Sequence, residues 1–161
     1  MKALLQRVTQ ASVTVNNEAV GKIGQGLVVL LGVANGDTEK DADYLVNKII
    51  NLRIFTDSAD KFNLSVLDIK GEILLISQFT LLADTRHGRR PDFTGAAPPQ
   101  IAEALYNYIA EKTRANGLKV ATGRFQQHME VEIHNTGPVT VMLDSREKFG
   151  EKPELNKQRL V

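Results

Sequence analysis

The sequence of 161 residues contains no cysteine. The chain therefore forms no disulfide, has no thiolate nucleophile and offers no cysteine ligand for zinc. Its longest apolar run, residues 27–31, is far shorter than the roughly 20 residues that span a bilayer. Polar residues begin at Lys2 and recur at Gln6 and Arg7, which leaves no apolar core of a signal peptide. These absences predict a cytoplasmic protein with no membrane partner.

Familiar catalytic signatures are also missing. The three histidines, His87, His128 and His134, are not spaced as metal ligands, so no metal and no cofactor is expected. No serine occupies the Gly-x-Ser-x-Gly turn of many hydrolases. If the chain is an enzyme, catalysis has to come from positioning, hydroxyl groups, backbone dipoles or the substrate itself.

Composition and charge indicate an ordinary globular protein. Hydrophobic residues make up 42% and charged residues 24% of the chain, and its length fits a single domain over 1–161. The net charge is only +1, so contact with nucleic acid would need a local basic patch rather than an overall positive field. Residues 144–161 carry charges of both signs and are expected to form a solvated tail.

Hydrophobic periodicity predicts a mixed α/β domain with two main helices. One helix is predicted over 38–52, where Thr38 and Asp41 form a capping pair, and the other over 98–116. Asn16-Asn17 is expected to join two strands as a hairpin. The predicted strands are 2–15, 18–23, 27–33, 54–55, 72–82, 118–121, 129–133 and 139–143.

The segment Ser77-Gln78-Phe79-Thr80-Leu81 lies at the end of an otherwise apolar strand. Buried polar side chains cost free energy unless they are hydrogen bonded, and catalytic groups often lie where a strand meets a loop. The residues alone leave two interpretations open, an active-site segment or a strand that reaches solvent.

Two other segments have the same ambiguity. Asn135-Thr136-Gly137-Pro138 is typical of a hairpin turn, but a Gly-Pro bond can be cis, and a tip with few side chains can approach a ligand closely. Arg86-His87-Gly88-Arg89-Arg90 lies in the long loop 84–99. Its guanidinium groups could hold phosphates, or they could simply pair with Asp84 and Asp92.

Taken together, these segments resemble the D-aminoacyl-tRNA deacylase family. Ser77-Gln78-Phe79-Thr80-Leu81 matches the first signature of that family, and Asn135-Thr136-Gly137-Pro138-Val139-Thr140 matches the second. The opening residues 1–15, with Arg7, and residues 88–93 are similar as well. The resemblance covers essentially all of the chain in order.

The resemblance implies a three-layer α/β fold with mixed sheets and a homodimer with two active sites at its interface. It implies hydrolysis of the ester bond of D-aminoacyl-tRNA, and of mischarged glycyl-tRNA, releasing the amino acid and tRNA. The cis Gly137-Pro138 tip of one subunit would reach into the pocket of the other. Its carbonyl groups would bind the substrate α-amino group, and an L side chain would collide with it.

The resemblance also assigns residue roles. Phe79 and Thr80 supply backbone N–H groups near the scissile ester, where they stabilise an oxyanion. Gln78 positions the terminal adenosine, and Arg7 braces the tip. The implied catalytic residues are Ser77, Gln78, Phe79 and Thr80, and the implied substrate-binding residues are Gly137, Pro138, Arg7, Met129 and Ala102, of which Met129 and Ala102 line the adenine pocket.

Two mechanisms and two rival functions stay open. The nucleophile is either water, helped by the 2′-hydroxyl of the terminal ribose, or the Thr80 hydroxyl. A threonine nucleophile needs an adjacent base, and Ser77 and Gln78 accept a proton poorly near neutral pH. The rival functions are a non-catalytic tRNA-binding module that uses the arginine loop, and a hydrolase for another bond, such as that of peptidyl-tRNA.

Overall fold

A six-stranded mixed sheet forms the centre of the fold. The structure is a computed structural model, and it describes residues 1–150. The strands are β1 (Lys2–Val15), β2 (Glu18–Ile23), β3 (Gly26–Gly32), β4 (Phe55–Thr56), β5 (Phe62–Leu64), β6 (Glu72–Ser77), β7 (Lys119–Thr122) and β8 (Glu130–Asp144). The helices are α1 (Glu39–Asn51), α2 (Pro99–Ala115) and α3 (Arg146–Phe149), and a 3₁₀ helix covers Phe79–Leu82.

The order of strands places the carboxyl ends of β3 and β6 side by side at one edge of the sheet. The sheet runs β2-β1-β3-β6-β7, and β8 lies on the other side of β1. β1 is antiparallel to β2, β3 and β8, whereas β3, β6 and β7 are parallel. The parallel pairing places Leu31 beside Ser77, so the polar segment that follows β6 begins next to the end of β3.

The fold has the three layers and the two main helices that were predicted. α1 and α2 pack against one face of the sheet, around Leu5, Leu45 and Leu75. On the other face, β2 crosses over β6 and β7, so closely that a Cβ on Gly21 would lie 3.0 Å from the Thr122 carbonyl oxygen. A second hydrophobic cluster lies on this face, and Leu74, the residue before Leu75 in β6, packs into it. β6 is therefore buried on both faces, as its continuous apolar sequence predicts.

Capping and turn residues in the sequence predict the ends of several elements correctly. Thr38 precedes α1, and its N–H donates to the Asp41 carboxylate at 2.9 Å, as expected of a capping pair. Asn16 and Asn17 have φ of 49° and 64° and join β1 to β2, which fits a two-residue hairpin turn. Both main helices lie within one residue of their predicted bounds.

The prediction of one strand over 72–82 is wrong in its second half. β6 ends at Ser77, and residues 79–82 wind into the 3₁₀ helix. The N–H of Gln78 still donates to the carbonyl of Leu31 at 2.7 Å. β3 ends at Gly32, so the chain beyond Gln78 has no continuing strand to pair with.

The prediction of separate strands over 129–133 and 139–143 is also wrong, and of the two interpretations of residues 135–138 the hairpin turn does not hold. β8 is one strand that pairs with β1 along its length. Gln6 pairs with Thr140 and Val8 with Asn135, so residues 136–139 bulge out opposite Arg7. Gly137 and Pro138 interrupt the pairing between β8 and β1 here, but the chain continues in the same direction.

The C-terminal prediction is only partly covered by the described residues. Residues 146–149 of the predicted tail form the short helix α3, and residues 151–161 lie outside the described part of the chain. Within residues 1–150, no helix is long and apolar enough to cross a membrane.

Candidate active site

A cavity of about 610 Å³ opens where β3 and β6 end. Its apolar wall includes Leu31, Val33, Ile76, Ala102, Tyr106 and Phe125. Its polar lining comes from Ser77 and Gln78 on one side and from residues 126–128 on the other. The volume falls within the usual range of small-molecule sites, about 300–1,000 Å³.

The first signature segment forms the rim of this cavity. Ser77, Gln78 and Phe79 all line it. The Gln78 side-chain amide donates a hydrogen bond to the Thr80 hydroxyl oxygen. The Phe79 ring is 57% exposed and packs edge-on against Phe93, with 5.1 Å between the ring centroids.

Two adjacent backbone donors are available at this rim. Phe79 and Thr80 begin the 3₁₀ helix, and the first N–H groups of any helix have no acceptor within it. Among the described residues, neither N–H group has another acceptor, whereas the next one, of Leu81, donates to the Gln78 carbonyl at 3.2 Å. Such a donor pair can hold a developing negative charge on oxygen.

Tyr106 forms part of the deep wall and was not identified from the sequence. Its hydroxyl donates to the Leu75 carbonyl at 2.7 Å, and the side chain is 4% exposed. Burial raises the pKa of Tyr106 to about 12, so the hydroxyl stays protonated and acts as a fixed donor. The helical spacing of residues 102, 106, 109 and 113 was the available signal for this inward face.

Residues 125–129 form another part of the wall, which adjoins Tyr106 through Phe125, with 6.1 Å between the two ring centroids. Phe125 and Met129 contribute apolar surface, and His128 contributes an exposed imidazole. Of this wall, the sequence identified only Met129. The other residues lie between β7 and β8 in a segment without regular structure, which carries no periodic signal. Within residues 1–150, no group of three or more histidine or acidic residues could hold a metal ion.

The second signature segment forms an exposed tip on β8. The Gly137-Pro138 bond is cis, and both residues are exposed. Arg7 anchors the tip, because its Nε donates to the Thr136 carbonyl at 3.0 Å. Its Nη1 donates to the Ile54 carbonyl at 2.9 Å, which fixes the guanidinium in place. Asn135 closes the bulge by accepting a hydrogen bond from the N–H of Val139 at 2.8 Å.

The structure divides the predicted site residues into two groups. Ser77, Gln78, Phe79, Ala102 and Met129 line the cavity, and Thr80 lies beside them in the 3₁₀ helix. Arg7, Gly137 and Pro138 meet at the tip and are not part of the cavity lining within residues 1–150. One copy of the chain therefore presents a cavity and a tip at separate places.

Known proteins resemble this chain over nearly its full length. The D-Tyr-tRNA(Tyr) deacylase family model matches residues 4–144. A D-aminoacyl-tRNA deacylase of Dehalococcoides mccartyi is 59% identical over 152 residues, which are 94% of this chain and 99% of that protein. A D-aminoacyl-tRNA deacylase of Desulforamulus reducens is 60% identical over 149 residues, which are 92% of this chain and 100% of that protein.

Solved structures share the fold. The c-Myc DNA unwinding element binding protein matches with a TM-score of 0.84 and 45% identity, over 89% of this chain and 98% of that chain. A probable eukaryotic D-amino acid tRNA deacylase matches with a TM-score of 0.75 and 20% identity, over 88% of this chain and 97% of that chain, a likeness of fold alone. With a family model that matches nearly the whole chain and relatives close to 60% identical, the chain belongs to the D-Tyr-tRNA(Tyr) deacylase family.

Proposed function

We propose that this chain hydrolyses the ester bond of D-aminoacyl-tRNA, and of mischarged glycyl-tRNA, and leaves L-aminoacyl-tRNA intact. The observation that carries the proposal is the pair of available N–H donors, of Phe79 and Thr80, at the rim of a cavity large enough for a nucleoside. The names of the relatives support an aminoacyl-tRNA ester as substrate rather than a role limited to tRNA binding. The reaction takes place in the cytoplasm, where charged tRNA is found.

The terminal adenosine of the tRNA occupies the apolar part of the cavity. Ala102 and Met129 both line the cavity and are half-buried, so they provide apolar surface for a flat base. The Gln78 side chain lines the same cavity and its amide is hydrogen bonded to Thr80, next to the donor pair, so in this proposal it orients the ribose. The ester carbonyl then lies beside the N–H groups of Phe79 and Thr80.

Hydrolysis proceeds by attack of water on the ester carbonyl carbon. The carbonyl oxygen becomes an oxyanion and accepts hydrogen bonds from the two N–H groups, which are already oriented and need no rearrangement. The bond between the carbonyl carbon and the ribose oxygen breaks, and that oxygen takes up the proton that the water gave up. The products are a free amino acid and tRNA with both ribose hydroxyls restored.

Water, and not the Thr80 hydroxyl, is the nucleophile in this proposal. The Thr80 oxygen accepts a hydrogen bond from the Gln78 amide, which is not a base. Among the described residues, no histidine or carboxylate is hydrogen bonded to that hydroxyl. A threonine without a base is a poor nucleophile. The 2′-hydroxyl of the terminal ribose is left to assist the attacking water.

Selection for D-amino acids requires a second copy of the chain. Since the cavity and the Gly137-Pro138 tip are separate in one copy, the tip of a partner completes the cavity of its neighbour in a homodimer with two sites. The tip's carbonyl groups bind the substrate α-amino group. An L side chain then points into the tip and collides with it, a D side chain points away, and glycine has none to reject.

Ester decay on matched substrates tests the proposal. Tyrosyl-tRNA charged with the D or the L enantiomer, glycyl-tRNA and peptidyl-tRNA are incubated with the protein, and the remaining ester is measured. Rapid loss from D-tyrosyl- and glycyl-tRNA with retention of the L form is expected. Binding without loss from any substrate would identify a non-catalytic module, and hydrolysis of peptidyl-tRNA alone would identify a different hydrolase.

A further inference from the structure

The loop between the 3₁₀ helix and α2 carries three arginines that the chemistry proposed above does not use. We propose that Arg89 and Arg90 bind backbone phosphates of the tRNA whose terminal adenosine occupies the cavity. This inference rests on the proposed function, and it assigns a contact surface for the part of the substrate that lies outside the cavity.

The arginine loop, residues 84–92, is closed at its base. The N–H of Asp84 donates to the carbonyl of Asp92 at 2.7 Å, and the N–H of Asp92 donates back at 2.9 Å. Residues 85–91 therefore form an exposed excursion with joined ends. A loop of this kind projects from a defined point on the surface instead of sweeping across it.

The base of the arginine loop lies at the cavity rim. Phe93, which follows the loop directly, packs against Phe79. Farther along, the N–H of Ala97 donates to the carbonyl of Val33 at 2.9 Å, and both of these residues line the cavity. A polymer that enters the cavity by its end therefore passes close to this loop.

The three arginines of the loop differ in their partners. The Arg86 guanidinium lies 2.6 Å from the Asp84 carboxylate, and hydrogen bonds from Arg86 hold the pKa of that carboxyl well below its usual range. Arg89 and Arg90 are exposed, and within residues 1–150 neither makes an ion pair or a side-chain hydrogen bond. The loop thus presents two uncompensated positive charges beside the cavity.

A tRNA acceptor end fits both the charge and the position of these groups. Its phosphates continue from the terminal adenosine, and guanidinium groups bind phosphate through paired N–H donors. The net charge of the chain is only +1, so an overall field does not attract tRNA and a local contact is required. Arg89 and Arg90 supply that contact next to the entry point.

Two substrates that share the aminoacyl-adenosine but differ in the rest of the tRNA, including its phosphates, test this inference. D-tyrosyl-tRNA carries the whole acceptor end, and D-tyrosyl-adenosine carries only the portion that enters the cavity. Hydrolysis of each is measured over a range of salt concentrations for the unmodified protein and for the double variant Arg89→Ala/Arg90→Ala. Two control variants are measured alongside: Arg89→Lys/Arg90→Lys keeps the charge, and Lys22→Ala/Lys48→Ala removes two exposed charges on β2 and α1.

The alanine variant is expected to lose activity on tRNA by roughly tenfold or more, chiefly through KM, and to keep its activity on D-tyrosyl-adenosine. The slope of log KM for tRNA against log salt should fall by about 2, one for each lost phosphate contact. The arginine-to-lysine variant should keep most of the slope, and the Lys22/Lys48 variant should match the unmodified protein.

Two results would overturn the inference, and a third concerns the proposed function. An unchanged salt slope for the alanine variant means that the loop does not contact phosphates. An equal loss on both substrates means that the loop acts on the cavity itself. If the unmodified protein hydrolyses neither substrate, the proposed function is wrong, and the salt dependence of binding to uncharged tRNA still confirms or overturns the role of the loop.

Discussion

The Arg7 guanidinium on β1 donates through Nε to the carbonyl of Thr136, 3.0 Å away, directly before the exposed Gly137-Pro138 tip. Its Nη1 also holds the Ile54 carbonyl, which lies just before β4. The fork of one arginine thus ties a bulge in the edge strand to a second segment of the chain. The tip owes its position to this contact as well as to its own sequence.

Replacing Arg7 by Lys should weaken the tip without removing the charge. A single ammonium group cannot reproduce two hydrogen bonds in the fixed directions of a guanidinium. We expect kcat/KM for D-tyrosyl-tRNA to fall by at least about tenfold, because one hydrogen bond to a charged group contributes about 1.5–3 kcal/mol. Urea unfolding of the same variant separates loss of the tip from loss of the fold, and wild-type kinetics in a folded Arg7→Lys protein would contradict the role given to Arg7.

The two substitutions Phe79→Ala and Phe79→Pro isolate one backbone donor. Both remove the aromatic ring, but only proline also removes the N–H group. Proline is tolerated at the first position of a helix, and Gln78 before it, with φ of −143° and ψ of 74°, lies outside the helical region that a following proline disfavours. The proline variant should be slower than the alanine variant by about 10²–10³ in kcat, the usual effect of losing an oxyanion donor. Equal rates would show that the Phe79 N–H does not act in the reaction.

Thr80→Ala should keep most of the deacylase activity. The backbone N–H survives this change, and the lost hydroxyl contributes only the hydrogen bond from Gln78. The expected decrease is tenfold or less, since such a bond is worth about 0.5–1.5 kcal/mol. A tRNA ending in 2′-deoxyadenosine should be hydrolysed very slowly by the unmodified protein. An inactive Thr80→Ala variant together with normal turnover of the deoxy substrate would instead make Thr80 the nucleophile.

Ser145→Ala should lower stability while leaving the active site intact. The Ser145 hydroxyl is fully buried, accepts a hydrogen bond from the Met1 amino group at 2.9 Å and donates one to Asp41 at 2.7 Å. Its removal leaves buried polar groups with a lost partner, at a cost of about 1–3 kcal/mol. Urea unfolding measures this cost, and the half-buried Ser12→Ala serves as a control. A change below about 0.5 kcal/mol would mean that water replaces the hydroxyl.

Elements with strong local periodicity could be predicted from the sequence. α1 was found because apolar residues recur at helical spacing behind a capping pair, and the β1–β2 hairpin because Asn16-Asn17 favours left-handed backbone angles. Elements that depend on a distant partner could not. β8 continues through Gly137-Pro138 because β1 pairs with it on both sides of the bulge, and that pairing joins residues far apart in the chain.

In the candidate site too, residues with a local sequence signal could be predicted, and residues placed only by the fold could not. The segment 77–80 was noticeable because polar residues are unusual at the end of an apolar strand, but only the family resemblance favoured an active site over a strand that reaches solvent. Phe125 and His128 were missed because they lie in a segment with neither a motif nor a period, and only the fold brings them into the cavity that Ala102 also lines. That the cavity and the tip are separate within one copy is a property of the folded chain, which no local pattern contains.

A heterodimer of two defective chains tests the central claim most directly, namely that each site combines the cavity of one copy with the tip of another. Ala102→Phe fills the cavity. Gly137→Val disturbs the tip, because a side chain there would lie 2.9 Å from the Arg7 guanidinium at a φ of 127°. The two variants are co-expressed with different C-terminal tags, and the mixed dimer is purified through both.

The mixed dimer contains one site with both defects and one with neither, because the intact cavity of the Gly137→Val copy faces the intact tip of the Ala102→Phe copy. Its rate on D-tyrosyl-tRNA should be about half that of the unmodified dimer, whereas each variant alone should be nearly inactive. A mixed dimer as inactive as its parents, or a fully active monomer of the unmodified chain, would contradict a site shared between two copies.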